Sequence, residues 1–160
     1  MDINLRPVSA GDQEFLYQLY ADTRREEIAL FGWPPAQQEA FLRMQFNAQR
    51  TWYETAYAGA EHRLILVDSE PAGRILVFRE TKANRLVDIS LLSHFRGQNI
   101  GTRLLRDLIH QSANEGLEVH LQVLKSNRAR ALYERLAFTV TGEDGMYYRM
   151  ENKGDSLSNV

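Results

Sequence analysis

Apolar and polar positions along the chain fall into short blocks whose period changes from one to the next. Ile3 to Val8 reads as a short strand with Pro7 near its end. Ser9 or Asp12 can cap a helix after it, in which Phe15, Leu16, Leu19 and Tyr20 recur at helical spacing to about Glu27. Trp33-Pro34-Pro35 breaks the pattern, and Pro35 can open a second helix with Phe41, Met44, Ala48 and Trp52 along one side. His62 to Val67 and Ala72 to Arg79 are apolar, β-rich runs joined by Asp68-Ser69-Glu70-Pro71, which is turn chemistry, so they predict a hairpin. Leu86 to Leu92 extends the sheet. Ile100, Leu104, Leu105, Leu108 and Ile109 then mark an amphipathic helix that ends at Glu115-Gly116. Val119 to Leu124 is a further strand, and a helix at 128–137 follows. Phe138 to Thr141 and Met146 to Met150 flank Gly142-Glu143-Asp144-Gly145 as two closing strands around a turn. The predicted order is β-α-α-β-β-β-α-β-α-β-β, with no internal repeat or linker and a disordered tail over 151–160.

Composition narrows the class. A chain of 160 residues that is 44% hydrophobic can bury one core, which predicts a single domain over 1–150. Nineteen basic residues against 21 acidic leave a formal charge of −2, so no global field draws nucleic acid or an anionic membrane, and any anion site must be local. The absence of cysteine excludes disulfides, thiolate nucleophiles and cysteine metal ligands. The four histidines show no ligand spacing, so no metal is expected. No stretch has the length and apolarity of a signal or spanning segment, and the expected location is cytoplasmic.

Candidate chemistry concentrates in Arg96-Gly97-Gln98-Asn99-Ile100-Gly101-Thr102, where an apolar strand gives way to the amphipathic helix. The first N–H groups of a helix have no intrahelical partner and the dipole is positive there, while glycines let the backbone approach a phosphate. A cofactor bearing a pyrophosphate is the ligand this suggests. Neither Gly-x-x-x-x-Gly-Lys-Ser/Thr nor Gly-x-Gly-x-x-Gly occurs, so the loop is of another kind.

Arg-x-x-Asn-x-Gly at 96–101, after the strand Val87-Asp88-Ile89-Ser90-Leu91-Leu92, resembles the Arg/Gln-x-x-Gly-x-Gly/Ala signature of the GCN5-related N-acetyltransferases. Asn127-Arg128-Ala129-Arg130-Ala131-Leu132-Tyr133-Glu134-Arg135-Leu136-Ala137-Phe138 resembles a later segment of the same family. The resemblance implies an α/β (α+β) fold, a mixed and mostly antiparallel sheet of about seven strands flanked by about four helices. It also implies acetyl-CoA as cosubstrate, a small-molecule or peptide amine as acceptor, and the homodimer that family members often form. Gly97, Gln98, Asn99, Ile100, Gly101 and Thr102 would hold the pyrophosphate, with Arg96 orienting the loop or pairing with a carboxylate. Asn99 departs from the family glycine, yet Asn is the non-glycine residue best able to adopt a left-handed conformation.

By the same resemblance, the strand ending at Leu91 and Leu92 splays from Val119 to Val123, and a backbone N–H near Leu91 or Leu92 faces the thioester oxygen. Tyr133 becomes the donor to the departing thiolate. Its ordinary pKa of about 10 exceeds the thiol's by about 1.5 units, so free transfer is uphill and hydrogen bonding is the larger role. Asn127 would cap its helix and contact the cofactor. Asp88 is the first choice of base. Glu26 and Glu27 lie near the end of the first helix, where the family builds its acceptor site. His120 on the splayed strand is a further candidate, His94 stands where the family often has proline, and Trp33, Tyr20, Arg24, Phe31, Trp52, Tyr53 and Tyr57 are available for acceptor recognition. A CoA-binding regulatory module that retains the fold without turnover is the alternative.

Overall fold

The chain enters its first helix through a small polar device. Asp12 reaches back to accept from the Ser9 backbone N–H at 2.8 Å, and Arg6 on the preceding strand donates to both Asp12 oxygens at 2.9 and 2.8 Å. In this computed structural model, which describes residues 1–154, a 3-10 turn at Ala10–Asp12 leads from β1 (Ile3–Pro7) into α1 (Gln13–Ala29). The other elements are α2 (Pro35–Ala56), β2 (Glu61–Val67), β3 (Glu70–Arg79), β4 (Ala83–Leu91), α3 (Ile100–Asn114), β5 (Glu118–Leu124), α4 (Ala129–Arg135), β6 (Thr139–Asp144) and β7 (Tyr147–Asn152). The seven strands form one open sheet in the order β1-β2-β3-β4-β5-β7-β6, mostly antiparallel, with β4 and β5 parallel. Element order and fold class are as expected. No helix among the described residues is long and apolar enough to cross a membrane.

The chain divides into two compact units, Met1–Ile75 with Ile89–Arg96, and Leu76–Asp88 with the chain from Gly97 onward. In the first, Leu16, Tyr17, Ala21 and Ile28 of α1 pack with Leu42 and Phe46 of α2 and Leu64 of β2. Pro35 opens α2, where its missing N–H costs nothing. The stripe expected along α2 is corrected: Met44 and Trp52 are 60% and 61% exposed, while Leu42 and Phe46 are buried. Two stripes of similar spacing run along this helix. The rings of Tyr17 and Tyr20, 5.7 and 5.8 Å from Phe46, select the one that faces α1. The hairpin turn is also shorter than expected. Asp68 and Ser69, at φ 48° and 69°, make a two-residue connection, and Glu70-Pro71 already belongs to β3.

In the second unit, α3 buries the expected Ile100, Leu104, Leu105, Leu108 and Ile109 and packs on β5. Asn84 of β4 donates to Ser112 of α3 at 2.8 Å, and both residues are buried. Gly142 lies inside β6, where the register with β7 shifts between Val140 and Gly142, and the turn is confined to Gly145 and Met146. The expected tail from Glu151 is corrected at its start. Glu151 and Asn152 complete β7, held by the buried Asn152 amide donating to the Leu136 carbonyl at 2.8 Å. The rest of that expectation, 155–160, lies outside the described residues.

Arg6 above all, with the Ser9 N–H, holds the Asp12 carboxyl well below the usual carboxylate range. A depressed folded pKa means stabilisation that is present above the unfolded value, about 3.9, and is lost as pH falls through the acid range. Asp12→Ala should therefore destabilise by about 1–2 kcal/mol near neutral pH. Urea midpoints measured from pH 7 to pH 3 should show the gap to wild type narrowing.

Candidate active site

Two left-handed residues carry the chain from its short 3-10 turn at Ser93–Phe95 into α3: Gly97 at φ 75° and Asn99 at φ 64°, ψ 16°. Asn99 takes the conformation expected of it and caps the helix, its carbonyl accepting from the Arg103 N–H at 3.1 Å. Ile100, Gly101 and Thr102 are the first three helical residues, whose N–H groups precede the first intrahelical bond. Ile100 is buried and anchors the turn, while Arg96 through Asn99 are exposed. Gly101 has an ordinary helical φ, and a Cβ built on it would meet nothing within 4 Å. Neither backbone geometry nor packing requires glycine there, although glycine inside a helix costs up to about 1 kcal/mol relative to alanine. The open space lies beside unpaired N–H groups at the positive end of a helix, which fits an anionic group such as a pyrophosphate.

The end of β4 is pinned from several sides. The Leu92 N–H donates to the Ala72 carbonyl at 2.8 Å, which engages one of the two N–H groups named for the thioester oxygen and leaves Leu91 as the candidate. Arg96 donates through Nε to the Leu91 carbonyl at 3.0 Å and through Nη2 to Asp22 of α1 at 3.3 Å. Asp22 also accepts from the Ser93 N–H at 2.8 Å and its hydroxyl at 3.3 Å. Of the two roles open to Arg96, pairing with a carboxylate is the one seen, and the pairing itself orients the chain before the loop. Gly73 of β3 sits so close to β4 that a Cβ on it would clash with the Ser90 carbonyl oxygen and lie 3.0 Å from the Leu91 Cα. Asp22 and Gly73 were not singled out by sequence reasoning. A glycine inside an apolar strand run is a signal of close backbone approach and could have marked Gly73; Asp22 reads only as one helix charge among several.

Tyr133 of α4 is buried, its ring 5.7 Å from that of Phe138. Burial, reinforced by the Asp88 carboxylate, pushes its hydroxyl up to about 12. Asp88 shares strand parity with Asn84 and Leu86, the β4 face whose Asn84 bonds α3. The expected donor and the expected base are thus electrostatically coupled. Asn127 caps α4 as expected, its Oδ1 accepting from the Ala129 N–H at 2.8 Å. Between β4 and β5 the parallel register runs from Ala83↔Glu118 to Leu86↔Leu121, and the strands continue beyond it to Leu91 and Leu124.

The acceptor candidates are dispersed. Glu26 and Glu27 are exposed on the last turns of α1. Trp33 stacks on Phe31 at 5.0 Å and meets Phe41 edge-on at 5.2 Å. Tyr20 packs against the α1–α2 core, with Arg24 over its ring at 5.1 Å. Trp52 faces solvent, and Tyr53 lies 6.2 Å from Tyr57 with Arg74 over its ring. His94 packs on Phe95. His120 is paired with Glu118, 2.8 Å away.

The family model of the acetyltransferase (GNAT) domain matches residues 20–147. Solved structures with the same fold include the PaiA N-acetyltransferase of Thermoplasma acidophilum in complex with coenzyme A, 21% identical with a TM-score of 0.72 over 96% of this chain and 99% of that one. A spermidine N-acetyltransferase chimera involving Vibrio cholerae SpeG is 17% identical with a TM-score of 0.68 over all of both chains. Ard1 of Thermoplasma volcanium is 18% identical with a TM-score of 0.60 over 95% of this chain and 97% of that one. No curated protein sequence matches the chain.

The contact at Gly73 is with main chain, which cannot swing aside. Gly73→Ala should cost at least about 2 kcal/mol in urea unfolding, because β4 must shift at Ser90 and Leu91 to admit the methyl group. An unchanged midpoint would mean that the approach is not tight.

Proposed function

The chain belongs to the GNAT acetyltransferase family, and from that premise we propose that it transfers acetyl from acetyl-CoA to a primary amine by direct attack. The observation that carries the reading is the open space over Gly101 at the amino end of α3, beside the left-handed Gly97 and Asn99. Backbone N–H groups from Gly97 to Thr102 take the pyrophosphate, and Asn127, beyond capping α4, contacts the cosubstrate. The Leu91 N–H stabilises the oxygen of the thioester as it gains charge. The amine nitrogen bonds to the carbonyl carbon, the carbon–sulfur bond breaks, and the thiolate departs as the amine loses a proton.

Tyr133 acts on the sulfur as a hydrogen-bond donor. At about 12, its hydroxyl lies some 3.5 units above a free thiol, and full transfer to the thiolate would be uphill by about 5 kcal/mol. Donation without transfer has no such penalty, and the Asp88 charge that disfavours a phenolate keeps the donor protonated. Asp88 is the base proposed for the amine proton. Glu26, Glu27 and Trp33 are proposed to meet the acceptor, a small-molecule or peptide amine. The spermidine acceptor named for one structural relative makes a polyamine the first compound to try. Asn99, standing at the amino end of α3 where the family has glycine, favours a second reading, a CoA-binding module with little or no turnover.

Calorimetry with acetyl-CoA tests the first step. Wild type should bind, Gly101→Glu should not, and Gly101→Ala should bind at least about 10-fold more weakly while its thermal midpoint holds or rises, since alanine is the better helix former. Absence of binding by wild type would sink the reading. Turnover separates the two roles: Tyr133→Phe should lower kcat on the order of 100-fold with acetyl-CoA binding retained. Asp88→Asn should lower kcat and also move Tyr133 ionisation, followed by ultraviolet absorbance, to lower pH, because a neighbouring negative charge has been removed. Binding without turnover in wild type across an amine panel would select the module.

A further inference from the structure

The edge of the sheet formed by β5, β7 and β6 carries a cluster that the acetyltransferase reading leaves unused. Glu118 and His120 are two residues apart on β5 and so share a face, and Glu151 is the direct cross-strand partner of His120 on β7. One ligand atom from each lies within 4.8 Å of the others. His120 Nε2 is 2.8 Å from a Glu118 oxygen and 3.7 Å from a Glu151 oxygen. The side chains are 23%, 36% and 27% exposed, so the group is reachable from solvent yet held by strands.

The surrounding charges leave it unbalanced. Arg85 stands beside His120 in the β4–β5 register but pairs with Glu80 at 3.3 Å, and Arg149, next along the same face of β7, pairs with Asp144 at 3.2 Å. Two carboxylates therefore converge on one imidazole while the neighbouring arginines face other acids. The Thr141 hydroxyl, 3.3 Å from the second Glu151 oxygen, supplies a hydrogen bond that orients that carboxylate from β6.

We propose that Glu118, His120 and Glu151 bind a divalent transition-metal cation, zinc first. One imidazole nitrogen and two carboxylate oxygens are a borderline donor set that suits zinc, and the pair of negative charges matches a divalent ion. Zinc bonds of about 2.0–2.2 Å in a tetrahedron put neighbouring donors roughly 3.4 Å apart, a spacing that the two His120 distances straddle. Three protein ligands leave the fourth position for water. The ion would join β5 to β7 through a cross-strand pair, so its first consequence is to stabilise this part of the sheet; the site is independent of the acetyltransferase reading.

The test is calorimetric titration of chelator-treated full-length protein with zinc chloride, with manganese(II) chloride as a parallel arm. One zinc per chain is expected, bound more tightly than manganese. His120→Ala should weaken it on the order of 100-fold and Glu151→Gln about 10-fold, with His110→Ala unchanged. Saturating zinc should raise the thermal midpoint of wild type and of His110→Ala but not of His120→Ala, whose circular dichroism confirms that it is folded. No uptake of zinc by wild type, or equal affinity in wild type and His120→Ala, overturns the proposal. Should His120→Ala fail to fold, Glu118→Gln and Glu151→Gln decide it by the same comparison.

Discussion

The approach of β3 to β4 at Gly73 is the constraint from which the rest of the site follows. With no side chain at 73, the Ser90 carbonyl can turn toward β3 and the Leu91 backbone can lie against it. The Leu92 N–H then reaches Ala72, and the chain leaves the sheet into Ser93–Phe95 with Asp22 gripping Ser93 and Arg96. What comes next is a matter of handedness. Gly97 and Asn99 turn the backbone through the left-handed region so that it enters α3 with N–H groups of the first turn unpaired. Apart from the grip of Asp22 on Ser93 and Arg96, each step uses a backbone property.

Local chemistry with a fixed spacing was legible in the residues. Pro35 opens a helix, Asn127 caps one, Asn99 substitutes for glycine in a left-handed cap, and the buried stripe of α3 falls where periodicity puts it. Properties that depend on a distant partner were not. The apolar spacing of α2 admits two faces, and only the rings of Tyr17 and Tyr20 decide between them. Glu151 and Asn152 look like the start of a polar tail until the Leu136 carbonyl gives Asn152 a buried partner. The engaged Leu92 N–H and the role of Asp22 depend on contacts 20 and 71 residues away in sequence, as Leu92 bonds Ala72 and Ser93 bonds Asp22.

Electrostatics add what neither spacing nor topology conveys. The motif points to Tyr133 as a hydrogen-bond donor, and its burial and the nearby Asp88 make the neutral phenol the persistent form. The Asp88 carboxylate thereby stabilises the protonated form of this buried phenol. In the proposed reaction such a group would contribute by holding a proton in place against developing charge, an effect that preorganisation strengthens and that needs no change of protonation state.

The two outermost strands bear on how the molecule lives among its own copies. A sheet that ends in an exposed strand offers a row of free amides and carbonyls to any similar edge. Here β1 carries Pro7, which has no N–H to offer, and β6 is kinked by its register shift at Thr141 and closes on Glu143 and Asp144. Both borders of the sheet formed by the described residues are therefore poor templates for another strand.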